Sequence, residues 1–86
     1  MEHLQARATQ SMPPVQALLA MASNIRNLLR TCSESGNPAH EDFCVQMAHT
    51  LTESLRELAD QAFAQQGEVA ELRVALRGLE EALAQR

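Results

Sequence analysis

Few side chains in this sequence could do chemistry, and the most suggestive are two thiols with an imidazole beside one of them. Cys32 and Cys44 are separated by eleven residues, and His40 stands four before Cys44. On a helix, a spacing of four puts both side chains on one face. Three soft donors would suit zinc if a fourth came from Glu41 or a partner, but structural zinc sites nearly always show four ligands. The sequence therefore predicts no metal and no cofactor. The thiols themselves admit two readings. They form a structural or redox-active bridge, or they pack reduced as small apolar residues. The first ten residues, MEHLQARATQ, hold no apolar core of the kind a signal peptide uses. The expectation is an intracellular protein, cytoplasmic or nuclear, with both thiols reduced.

Catalytic groups are sparser still. His3, His40 and His49 have no Ser–acid constellation near them, and no glycine-rich loop would cradle a phosphate. Glu53 with Glu57, and Glu80 with Glu81, fall on outward helix positions and read as solubility. Neither enzyme activity nor a small-molecule substrate is expected. All seven cations are Arg, scattered and mostly set near acids, on a chain of net charge −4. A surface that tracks phosphates needs clustered positive charge, so nucleic acid and anionic membrane are not expected partners. The apolar run from Ala17 to Ala22 is far too short to cross a bilayer.

The elements that must position these groups are helical. No stretch alternates with period two, which predicts an all-α chain. From Cys44 onward a stripe recurs by fours and threes through Ala48, Leu51, Leu55, Leu58, Ala62, Gln65, Val69, Leu72, Leu76, Leu79 and Leu83. That heptad spacing keeps one face turned toward a partner helix. A shorter stripe, Val15, Leu18, Ala22, Ile25, Leu29 and Cys32, precedes it. Between them, Gly36 suits a helix C-terminus, Asn37 an N-cap and Pro38 a first helical position.

The fold expected is an antiparallel helical hairpin, with helix 1 over about 12–33 and helix 2 over about 38–85, preceded by a flexible tail at 1–10. The hairpin core is Leu18, Ile25, Leu29, Leu51, Leu55 and Leu58. Helix 2 overhangs helix 1, so its C-terminal half extends as a coiled-coil arm, bent at most at Gly67. Its partner-binding seam is Val69, Leu72, Leu76, Leu79 and Leu83, and Glu68 and Arg73 are placed for an attractive contact between parallel chains. The rival is a three-helix fold with a turn at Gly67. Apolar and small flanks at Val45, Met47, Ala59, Ala75 and Ala82 suit a multi-helix bundle, and a buried Phe63 would require a further helix on its side.

The function these features suggest is a non-enzymatic interaction and assembly subunit. It would join copies of itself, another helical protein, or both, through coiled-coil packing. Two alternatives use the same residues: a small helical chaperone or escort masking a partner's amphipathic helix, and a thiol redox carrier built on Cys32 and Cys44.

Overall fold

The computed structural model describes residues 14–85 as three helices: α1 (Val15–Glu34), α2 (Pro38–Gln66) and α3 (Ala70–Ala84). No strand occurs among the described residues, which are all-helical as the periodicity predicts. The tail at 1–10 and residues 11–13 lie outside the described residues. Pro14 stands before the first turn of α1 in extended backbone, φ −67° and ψ 159°, and α1 begins at Val15. The Pro14 carbonyl accepts the Ala17 and Leu18 N–H groups at 3.0 and 3.2 Å. A proline fits there because the first N–H groups of a helix have no intrahelical partner.

The first connection follows its sequence signals closely. Ser35 closes α1, its N–H and hydroxyl both donating to the Cys32 carbonyl, at 3.2 and 2.8 Å. Gly36 then takes φ +73°, a conformation that costs other residues a steric penalty. Asn37 caps α2, its Oδ1 accepting the Ala39 and His40 N–H groups at 3.1 and 3.3 Å, and Pro38 opens the helix.

The expected continuous second helix is interrupted. α2 ends at Gln66, Gly67 takes φ +91° and ψ 177°, and α3 starts at Ala70. The chain turns back, so α3 runs antiparallel to α2 and parallel to α1. Arg56 of α2 meets Glu80 of α3 at 3.4 Å, and the Arg26 guanidinium of α1 lies over Gly78 of α3. The physical reason is burial. An outstretched arm would leave Leu72, Leu76, Leu79 and Leu83 in water at roughly 1.5–3 kcal/mol each. Folding back buries all four, at 0–6% exposure, for the cost of one short turn built on glycine.

That third helix also shifts the face that α2 buries. Leu18, Ile25, Leu29 and Leu55 occupy the core as expected, but Leu51 is 39% exposed and Leu58 only half-buried. Thr52 and Ala59, one position further along, are buried instead. A helix that touches one neighbour centres its stripe on that neighbour. α2 touches two, and the centre moves toward α3 and the small residues that let it approach. Phe63, half-buried, falls on this widened side, where α3 supplies the further helix it requires.

Candidate functional site

The connection between α1 and α2 brings together the three soft donors. Cys32 lies in the last turn of α1, while His40 and Cys44 share a face of the first turns of α2. Cys32 and Cys44 are joined as a disulfide, with Cα atoms 6.3 Å apart. This replaces the expected pair of reduced thiols. The hairpin register carries both cysteines onto facing positions at its closed end, which leaves their sulfurs within bonding reach. His40 Nε2 sits 3.9 Å from each sulfur. Both cysteines are buried at 3% exposure, whereas His40 opens to solvent. Glu41, weighed as a fourth ligand, accepts the Ser33 hydroxyl at 3.3 Å and does not join the three donor atoms.

Of the residues considered for acid–base work, Glu57 and Glu81 stand apart, and His49, Glu53 and Glu80 share only an open depression. His49, Glu53, Glu57 and Glu81 stand on exposed helix positions, and Glu80 pairs with Arg56. His49, Glu53, Arg56 and Glu80 border a shallow depression of about 240 Å³ between α2 and α3, with Thr52 beneath them. Thr52 is buried, and its hydroxyl has no hydrogen-bond partner among the described residues. His3 lies outside the described residues.

The five arm residues are gathered, but inward. Leu72, Leu76, Leu79 and Leu83 belong to one core with Leu18, Ile25, Leu29 and Leu55, and Val69 packs half-buried against it. The Glu68–Arg73 contact expected between chains forms within this one. Arg73 Nε and Nη2 donate to the two Glu68 carboxylate oxygens at 2.8 and 3.1 Å, and the guanidinium carbon lies 4.3 Å from the Phe63 ring centre. Hydrogen bonds from Arg73 hold the Glu68 carboxyl below the usual carboxylate range, and the same contact raises Arg73. Both side chains are open to water, so solvent and salt screen the pair.

A second surface feature was only partly legible. Phe43, Met47 and Leu51 stand at spacings of four on α2 and are 59%, 40% and 39% exposed. Met21 and Asn24 of α1 line a shallow apolar depression with Ile25 and Leu51. The spacing of four was the available signal. Met47 counts as a flank of the heptad seam, but Phe43 falls outside it.

The chain matches no family model, and no curated protein or solved structure is significantly similar to it. Among the described residues, no helix is long and apolar enough to cross a membrane.

Proposed function

We propose that this chain is a non-enzymatic assembly subunit that pairs with a second copy of itself by helix-to-helix packing, using the side of the α1–α2 hairpin that faces away from α3. The observation that carries this reading is a strip free of Asp, Glu, Lys and Arg on which Phe43, Met47 and Leu51 stand exposed. At about 100° per residue, the α2 strip holding Phe43, Met47, Leu51 and Leu58 contains otherwise only His40, Thr50, Ser54, Gln61 and Gln65. The α1 strip beside it holds Ala17, Met21, Asn24, Leu28 and Thr31. Arg26, Arg30 and Glu34 of α1, and Glu41, Asp42, Glu53, Arg56 and Asp60 of α2, all point elsewhere, with Glu57 at the margin.

A second copy is the occupant that this pattern favours. Copies of a chain with net charge −4 repel one another on average. A charge-free face is where two of them can meet without opposing acids. A foreign partner is commonly selected by complementary charge, and this face offers none to read. Two-fold pairing sets the same residues on both sides, so Met47 and Leu51 meet their own kind. A stable contact needs about 800 Å² from each partner, a modest share of the chain's 5997 Å² of surface. Coiled-coil packing then operates at two levels, α3 onto its own hairpin and hairpin onto hairpin.

Sedimentation of Met47→Glu and Leu51→Glu beside the natural chain tests the reading. Both side chains are partly exposed, so the three-helix unit tolerates the change. The natural chain is expected at twice its 9.5 kDa mass at tens of micromolar, and each variant at its monomer mass with unchanged helicity. A natural chain that stays monomeric, or variants that still pair, would refute the assignment of this face. A foreign helical protein that competes with pairing and binds through Phe43 would overturn the choice of occupant.

A further inference from the structure

We propose that Cys32, His40 and Cys44 form a redox-gated site for a thiophilic divalent cation such as Zn²⁺, closed as a disulfide and opened as a three-ligand metal site on reduction. The argument begins with distances. Zinc holds thiolate sulfur at about 2.3 Å and imidazole nitrogen at about 2.0–2.1 Å, so a tetrahedral centre spaces its sulfurs by about 3.8 Å and its sulfur and nitrogen by about 3.6 Å. His40 Nε2 already lies 3.9 Å from both sulfurs, and the three donor atoms all fall within 4.8 Å of one another. Once the sulfur–sulfur bond is broken, rotation about either Cα–Cβ bond moves the sulfurs apart to the required spacing while the backbone stays in place. A cation then fits between the three donors.

The local fold holds this triangle from both sides. Ser35 ties down the Cys32 carbonyl at the end of α1, and Asn37 accepts the His40 N–H at the start of α2. Cys44 sits one turn beyond His40 on the same face. The fourth coordination position lies on the open side, where His40 meets solvent, and water fills it. Three protein ligands and one exchangeable ligand are the arrangement of an open metal site, as distinct from the closed four-ligand sites that only hold a fold together.

The two states exclude each other because the sulfurs become thiolate ligands only after the bond between them has been reduced by two electrons. A dithiol reductant transfers two electrons and two protons to the Cys32–Cys44 bond, yielding two thiols and its own cyclic disulfide. The incoming divalent cation displaces those two protons and binds two thiolates and the neutral His40 ring. Metal occupancy therefore rises on reduction.

The test uses the full chain, with Zn²⁺ alone as the probe and a phosphine as reductant, since added dithiols would themselves chelate the metal. Competition against a chromophoric chelator should give one Zn²⁺ per reduced chain and none for the oxidised chain. His40→Ala, at an exposed position, should weaken binding by at least about tenfold while leaving helicity intact, and Cys32→Ser should abolish it. Saturating Zn²⁺ should also raise the melting temperature of the reduced natural chain and not that of Cys32→Ser. A reduced chain that takes up no Zn²⁺ in competition overturns the proposal. So does one whose Zn²⁺ binding is unchanged by His40→Ala.

Discussion

The two connections of this molecule are built in opposite ways. The turn between α1 and α2 is specified many times over: Gly36 at φ +73°, Asn37 with two accepted N–H groups, Pro38 in the first turn and a disulfide across its mouth. The turn between α2 and α3 has Gly67 at φ +91°, no side-chain cap on α3 at Val69, and a clasp of exposed Glu68 and Arg73 laid over half-buried Phe63. The first turn could form on local chemistry alone. The second depends on what α3 buries once it has turned back, and this difference orders the effects expected of mutations.

The largest effect should come from Leu72→Asp combined with Leu76→Asp. Two charges placed in the shared core cost several kcal/mol each if left unpaired. Because the second turn has little local support, α3 should detach, with a loss of helicity and a broad, early thermal transition. An unchanged melting curve would mean that α3 does not pack on its own hairpin. Reducing the Cys32–Cys44 bond in metal-free buffer should come next. It removes a constraint on a loop of about a dozen residues, worth roughly 2–4 kcal/mol in the chain-entropy model. Urea titration with and without a phosphine reads that difference, and equal midpoints would contradict it.

Gly67→Ala should cost about 1–3 kcal/mol, because its φ and ψ lie in a region that essentially only glycine occupies. The space around it is open, with nothing within 4 Å of an added Cβ, so the penalty is one of backbone conformation and not of crowding. Alanine also favours continuing α2 through the turn, so this variant should populate a longer-helix form that exchanges α3 between copies. Gly36→Ala should show no such exchange, since Asn37 and Pro38 restart the chain in any case. Asn37→Ala should cost about 1 kcal/mol as a lost N-cap, again by urea titration. The equivalent change at Val69 has no cap to lose.

Much of this contrast was legible in the residues. Gly36, Asn37 and Pro38 act through their own backbone preferences, so the end of α1 and the start of α2 follow from local sequence. Gly67 was visible as a weak point, but the heptad phase runs unbroken across it from Ala62 through Val69 to Leu72. A stripe of that kind fits a long helix and a folded-back one equally well, because both keep one apolar face toward a neighbour. Only the burial gained by folding back separates them, and that is a tertiary quantity. The same cause leaves Leu51 exposed and Leu58 at the edge of the core it packs against, because their exposure depends on which side α3 takes. His40 was recognisable through its spacing to Cys44, whereas its equal distance from Cys32 depends on the turn geometry.

The smallest effect concerns the clasp at the second turn. The Glu68 carboxyl is held below its ordinary range by Arg73. Its contribution to stability is therefore fully present above the unfolded carboxylate's value and is lost as pH falls through the lowered one. Glu68→Gln should remove that part of the acid dependence together with the same small contribution near neutrality, and added salt should mask the difference. A large loss at neutral pH would mean that the second turn has more local support than its exposed ion pair suggests.

The fold-back of α3 is tested most directly by one distance. Nitroxide labels at positions 53 and 81, on a Cys32→Ala, Cys44→Ala background and diluted into unlabelled chain, report the separation within a single molecule. With α3 packed against α2 at an interaxial distance of about 8–10 Å, the labels should lie within roughly 20 Å of each other. A separation near 42 Å, which 28 residues of uninterrupted helix would give at ~1.5 Å per residue, would contradict the account.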